Sequence, residues 1–205
     1  MDQSLAALRR FVRPREATEQ CDLCSAEVAS EHAHLFEPPT RQIKCACEAC
    51  SILFSNRGDG RLVRVPRRVR YLENFRITDE QWNGLMLPIQ LAFIFKSSAE
   101  LRVVAMYPSP AGATESLLPL DTWTEIEKAN PQLETMLTDV EALLVNRTAQ
   151  HRDHFIVPID ECYKLVGLIR LKWHGLSGGS EVRREIDRFF ESLRTSSAKK
   201  GAANA

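Results

Sequence analysis

The sequence predicts an α+β fold in which a small N-terminal cysteine knuckle precedes a larger domain built on a mostly antiparallel sheet. Two segments, Gln90–Lys96 and Leu101–Tyr107, are rich in aliphatic and aromatic residues, and only four residues separate them, which is hairpin length. A second strand pair is predicted over Val140–Asn146 and His154–Val157. Helical patterns lie among these strands without a regular βαβ repeat, which favours antiparallel over parallel pairing.

Local signals at the helix starts predict where the helices begin. The run Thr78-Asp79-Glu80-Gln81 matches a capping box, in which the Thr78 and Gln81 side chains satisfy each other's backbone N–H groups. It predicts a short helix to about Leu85. Three further helices are predicted, each with a capping side chain at its first residue: Asp121–Ala129, Asp160–Trp173 and Ser180–Arg194.

These elements divide the chain into five segments. The predicted boundaries are a lead-in helix over 1–14, a cysteine knuckle domain over 15–56, a basic connector over 57–69, an α+β domain over 70–195, and a disordered tail over 196–205. The tail is assigned as disordered because it holds no large apolar side chain to bury.

The knuckle is defined by five of the six cysteines, which fall within thirty residues as Cys21-x2-Cys24 and Cys45-x-Cys47-x2-Cys50. A C-x2-C turn directs two thiolates at the same ion, and two such turns complete a tetrahedron. The spacing therefore predicts a metal site formed by Cys21, Cys24, Cys47 and Cys50, in a zinc-ribbon or rubredoxin-like arrangement.

Two other residues are alternative ligands. Cys45 can replace Cys47, remain a free reactive thiol, or help to hold something larger than one ion. His34 lies between the two cysteine pairs in the run Glu31-His32-Ala33-His34. The alternative interpretation of both histidines is that they are solvated loop residues.

Cysteine ligands alone do not decide which metal is bound. One structural zinc ion is the first expectation, because four thiolates leave no open position for a substrate. Iron, as a rubredoxin-like centre or an iron–sulfur cluster, uses the same ligands. A metal-free redox pair of thiols is the third interpretation.

Charge and hydropathy limit the choice of partners and location. Lys+Arg and Asp+Glu both number 27, yet residues 57–76 hold seven arginines and residues 109–145 hold seven acidic residues. The basic stretch therefore predicts contact with an acidic protein partner, or with the chain's own acidic middle, rather than with nucleic acid. The N-terminus lacks signal-peptide features, and the most apolar stretch, Leu85–Phe95, is too short to insert into a membrane, so a cytoplasmic protein is expected.

Three stretches together are similar to a known bacterial family. They are CDLCSAEVASEHAHLFEPPTRQIKCACEACSILF, then VVAMYPSPAGATES with VEALLVNR, and IVPIDECYKLVGLIRLKWHGLSGGSEV with the FF-containing last helix. From about Leu8 to Arg194 the chain resembles an uncharacterised family encoded beside uptake NiFe hydrogenases, notably of the actinobacterial type. The resemblance implies a role near hydrogenase assembly or electron transfer, and it carries over only the metal-binding cysteines.

Three functions remain open at this point, and none includes an identified catalytic residue. The first is a non-catalytic accessory or maturation protein that docks on a hydrogenase subunit. The second is an iron-containing electron carrier. The third is a zinc-ribbon protein that binds nucleic acid.

Overall fold

A computed structural model describes residues 19–55, 60–173 and 179–202. Over these residues the strands are β1 (Ala33–Glu37), β2 (Gln42–Ala46), β3 (Val63–Arg64), β4 (Arg70–Tyr71), β5 (Leu91–Ser97), β6 (Arg102–Ser109), β7 (Gly112–Ser116), β8 (Glu141–Asn146) and β9 (Asp153–Pro158). The helices are α1 (Glu48–Ser55), α2 (Asp79–Gly84), α3 (Leu120–Ala129), a 3-10 turn (Pro131–Thr135), α4 (Ile159–Lys172) and α5 (Gly179–Ala202). The lead-in helix predicted over 1–14 lies outside the described residues.

The main domain is built on a six-stranded sheet in the order β4-β9-β8-β5-β6-β7. Every strand pairing in it is antiparallel, including the two predicted hairpin pairs, β5 with β6 and β8 with β9. The predicted α+β class with an antiparallel sheet is therefore confirmed. Among the described helices, none combines the length and apolarity needed to cross a membrane.

Helices cover both faces of this sheet, as the alternation along β5 shows. Phe93 and Phe95 point into a core shared with α4 and α5, whereas Ala92 and Ile94 point into a core with Trp82 of α2 and neighbouring residues of α3. Successive strand residues face opposite sides of a sheet, so a strand covered on both sides is apolar throughout. This explains why the central strands are continuous hydrophobic runs in the sequence.

Helix starts agree with the capping predictions in one case only. The Thr78 capping box is present, with both reciprocal hydrogen bonds. The other predictions are wrong: α3 follows Pro119 and α4 follows Pro158, neither with a side-chain cap, and Ser180 lies inside α5. At the start of both helices, the fixed φ of the proline sets the direction in which the chain enters the helix.

The last helix is longer than predicted, because α5 continues to Ala202 through most of the tail assigned as disordered. Ser197 lies on this extension, and its hydroxyl accepts a hydrogen bond from the backbone N–H of Tyr71 at 2.9 Å. Tyr71 belongs to the edge strand β4, which packs against α5. The contact gives the polar tail a partner that its composition does not reveal.

A second, three-stranded antiparallel sheet, in the order β2-β1-β3, carries the cysteine segment. Successive residues of β1 face different cores. Leu35 lies with Cys21 and Cys50 in a small cysteine core, and Phe36 lies in the core of the main domain. The cysteine segment is therefore packed directly on the main domain.

Part of the basic stretch is neutralised within the chain. Glu141 is fully buried, and its carboxylate accepts hydrogen bonds from Arg68 at 2.6 and 3.0 Å. The guanidinium of Arg70 lies 3.8 Å from the same carboxylate. The acidic middle of the chain is thus the partner of these two arginines, which was one of the two expectations from the charge pattern.

His154 gives the fold a pH dependence. Burial, and then repulsion from Arg147, lowers the pKa of His154 to about 4, although Asp153 opposes the effect. An unfolded histidine has a pKa near 6.5, so between these values the unfolded chain binds more protons and stability falls as pH falls. We expect the wild type to lose about 3 kcal/mol more than a His154→Phe variant between about pH 7 and about pH 4.

Urea unfolding of both proteins across this range measures the difference. The substitution keeps an aromatic ring against Phe75, on which His154 stacks with centroids 4.6 Å apart. Parallel stability curves for the two proteins would show that His154 does not cause the acid sensitivity.

Candidate metal centre

The first cysteine pair lies in a tight turn closed by backbone hydrogen bonds. Cys21 N–H donates to Ala26 O, and Ser25 N–H donates to Cys21 O, both at 2.8 Å. Ser25 has φ 59°, the left-handed conformation that lets the chain reverse just after Cys24. The turn therefore directs the two thiols of the C-x2-C sequence to the same side.

The second cysteine pair starts helix α1. Cys50 N–H points at Cys47 Sγ at 3.4 Å, and Ser51 N–H donates to Cys47 O at 2.9 Å. Cys47 thus occupies the N-cap position, where a helix offers unpaired N–H groups and favours negative charge. The start of α1 therefore directs a backbone N–H at the Cys47 sulfur.

Asp22 joins the two turns. Its backbone N–H donates to Cys45 O at 2.9 Å, and its carboxylate accepts from Cys45 N–H at 2.6 Å. The first turn is thereby held against the end of β2, immediately before the second pair.

The four predicted ligands converge on one point. The sulfur atoms of Cys21, Cys24, Cys47 and Cys50 all lie within 4.8 Å of one another, and the Sγ atoms of Cys24 and Cys47 are 3.8 Å apart. A tetrahedral ion with sulfur ligands at about 2.3 Å has sulfur–sulfur edges of about 3.8 Å. The arrangement therefore fits a four-coordinate metal ion.

The electrostatics of the thiols also fit a cation. Burial acts against ionisation of Cys21, but backbone N–H groups, first that of Cys47, outweigh it and lower its pKa to about 6. Burial and then the neighbouring thiols raise the pKa of Cys50 to about 12. Four sulfurs this close do not all become thiolates by themselves, whereas a bound divalent cation deprotonates each one.

The two alternative ligands, Cys45 and His34, lie elsewhere. They are directly opposite each other on β2 and β1, and with His32 they form a separate group. Strand β2 ends at Ala46, whose side chain faces the cysteine core, so Cys45 points to the other face of the small sheet. The interpretation of the histidines as solvated loop residues is wrong for His34, which lies in β1 and bonds Asp160 at 2.6 Å.

The remaining cysteine has no part in either group. Cys162 is fully buried in the main core on α4, as its place in an apolar helical pattern suggests. All six cysteines lie in the described residues, and none of them forms a disulfide.

Comparison with known proteins supports a family assignment. No match was found among curated proteins or among solved structures. The model of DUF5947, a family of unknown function, matches residues 20–197. The matched region contains the four converging cysteines, both sheets and most of α5. Since it covers most of the chain, this protein belongs to the family of unknown function DUF5947.

Proposed function

We propose that this chain is a non-catalytic, zinc-binding accessory or maturation protein that docks on a subunit of a NiFe hydrogenase. The observation that carries the metal part of the proposal is the convergence of four cysteine sulfurs within 4.8 Å of one another, with one pair 3.8 Å apart. Because four thiolates fill the coordination sphere of zinc, the ion would hold the cysteine segment in shape and bind no substrate.

Four thiolates are compatible with a structural zinc ion, which is the first expectation, and with iron, which is the alternative. Both metals accept four thiolates, so colour separates them. A colourless protein with stoichiometric zinc supports the structural role. Iron with visible charge-transfer absorption that bleaches on reduction would replace it with an electron carrier.

Helix α1 offers a docking surface that such a metal would fix. Its first turn, Glu48–Ser51, contains Cys50. The two residues after this turn, Ile52 and Leu53, are 49% and 58% exposed. Large apolar side chains at the surface of a metal-anchored helix are suited to the centre of a protein interface. A metal at the four cysteines would thus set the orientation in which these two residues meet a partner.

The pairing of arginines of the basic stretch within the chain counts against nucleic acid as the partner. Arg68 and Arg70 are directed at the buried Glu141, and Arg64 is paired with Glu48. A phosphate backbone would have to compete for guanidinium groups that already have carboxylate partners. The choice of a hydrogenase subunit rests on the resemblance to proteins encoded beside these enzymes.

Affinity purification from cells that express the hydrogenase tests the docking proposal. The tagged chain is expected to retain a hydrogenase subunit, and the double substitution Ile52→Glu/Leu53→Glu to weaken retention about tenfold or more, because it places charge in an apolar contact. Leu117→Glu is the matched control, since Leu117 is also exposed but lies outside the cysteine segment.

Two results would contradict the proposal in different ways. Absence of any hydrogenase subunit from the wild-type eluate removes the partner and leaves the metal site standing. Equal loss with Leu117→Glu and with the α1 variant removes α1 as the docking surface.

A further inference from the structure

A second group of metal-ligating side chains lies on the opposite face of the small sheet from the four cysteines. One ring nitrogen of His32, one of His34 and the sulfur of Cys45 all lie within 4.8 Å of one another. The placement follows from strand geometry. Residues two apart share a face, which brings His32 beside His34, and the antiparallel register puts Cys45 directly across from His34.

The hydrogen bonds of His32 leave one nitrogen available to a metal. Its Nδ1 lies 2.8 Å from Ala29 O, which only accepts, so Nδ1 carries the proton and Nε2 carries a lone pair. The side chain is only 7% exposed, and among the described residues its Nε2 has no hydrogen-bond partner. A buried acceptor without a partner is costly, and a bound cation removes that cost.

His34 is prepared in the same way. Its Nδ1 lies 2.6 Å from Asp160 Oδ2, at the start of α4, so the nitrogen that remains for a ligand is Nε2. A carboxylate behind the imidazole is the usual outer-shell partner of a metal-binding histidine, because it fixes the ring and makes the other nitrogen more basic. The carboxylate of Glu19 lies 3.5 Å from His32 Nδ1, whose hydrogen bond goes to Ala29 O.

Both histidines line a cavity of about 500 Å³ between the small sheet and α4. Its wall also contains Asp160, Glu161 and Lys164. An ion held by two imidazoles and one thiolate has a fourth tetrahedral position, and here that position can open to the cavity. Three protein ligands with one open position distinguish a reactive or exchanging site from a closed structural one.

We propose that His32, His34 and Cys45 bind a divalent transition-metal ion in an open site, separate from the four-cysteine centre. Two imidazoles and one thiolate suit ions of intermediate softness such as Zn²⁺, Co²⁺ and Ni²⁺, and exclude Mg²⁺ and Ca²⁺, which prefer oxygen ligands. Water or a small ligand in the cavity takes the fourth position, so the ion can be taken up and released.

This second site does not depend on the docking proposal, because it shares no ligand with the four-cysteine centre and involves no partner. It adds metal exchange to a protein whose other site would be purely structural. The two claims fail separately: loss of the open site leaves the structural metal, and loss of hydrogenase binding leaves both metal sites.

Titration of the zinc-loaded protein with Co²⁺ tests the proposal. We expect one further Co²⁺ per chain, bound reversibly and removed by a mild chelator that leaves the structural zinc in place. Its visible d–d bands should be those of a tetrahedral ion, and weak thiolate charge transfer should appear in the near ultraviolet. In Cys45→Ser the charge-transfer absorption should disappear, and Co²⁺ affinity should fall at least about tenfold.

The control is His151→Ala. His151 also lies beside two carboxylates, Asp153 and Asp187, but it belongs to neither group of metal-ligating side chains found among the described residues. It should bind the second ion like the wild type. Cys45→Ser is a small change at a half-buried position, so retained zinc and an unchanged circular dichroism spectrum would verify its fold.

Asp160→Asn separates a positioning role from a purely structural one. We expect the second ion to bind about 10–100-fold more weakly while saturation still reaches one ion, because the ligands remain and only their orientation is lost. Two results would overturn the proposal: the zinc-loaded wild type binds no additional Co²⁺, or the wild type and Cys45→Ser bind Co²⁺ equally.

Discussion

Replacing Cys24 with serine is expected to release the structural metal and unfold residues 19–55, while the main domain stays folded. Among the described residues, the cysteine core has four buried members, Cys21, Leu35, Ala46 and Cys50, with a few partly buried neighbours, which is little apolar surface to hold the segment by itself. Binding of a structural zinc supplies about 10–16 kcal/mol in small zinc domains, and that energy is folding energy.

Hydrogen exchange measured by mass spectrometry shows this effect segment by segment. Amides of β1, β2 and α1 should lose their protection in Cys24→Ser, whereas β5 and β8 should keep theirs, because they lie between two cores of the main domain. Cys162→Ala is the control, since this cysteine is buried in the main core and should not affect the metal. Stoichiometric zinc and wild-type protection in Cys24→Ser would contradict the account.

Replacing Arg68 with alanine is expected to lower the free energy of unfolding by about 3–5 kcal/mol. Glu141 would remain fully buried, and its partners among the described residues would then be Leu137 N–H at 2.9 Å and Arg70 at 3.8 Å. A buried charge without its partner carries most of its desolvation cost, which is why removal of the exposed member of this pair is damaging.

Substitution of the other member of the pair, Glu141, should lower the free energy of unfolding by less. In Glu141→Gln the buried group becomes neutral, and the Arg68 side chain, which is 45% exposed, can be hydrated. Urea unfolding of both variants and of Arg68→Met/Glu141→Leu measures this order, and the double variant should recover part of the loss. A decrease of less than about 1 kcal/mol for Arg68→Ala would show that the pair contributes little.

Signals that lie close together in the sequence predicted the correct features. The hairpin pairs followed from apolar runs a few residues apart, and the cysteine pairs followed from the turn that C-x2-C imposes. The Thr78 capping box, contained in four residues, was also predicted correctly.

Features that depend on distant contacts were missed. Asp160 was predicted to cap a helix, but it lies inside α4, and its carboxylate bonds His34, 126 residues away. The register of β1 with β2, which brings Cys45 opposite His34, was not predicted within the segment interpreted as a cysteine knuckle domain. The histidines were visible as a His-x-His sequence, yet only the fold shows which thiol they meet.

Metal analysis of the Cys45→Ser variant, purified without oxygen, shows whether the four converging cysteines bind an ion by themselves. This variant keeps the four converging cysteines and lacks the thiol of the second group, so any tightly bound ion belongs to the four-cysteine centre. We expect one zinc per chain, with X-ray absorption showing four sulfur neighbours at about 2.3 Å. A metal-free protein, or a zinc bound mainly by nitrogen and oxygen, would contradict this expectation.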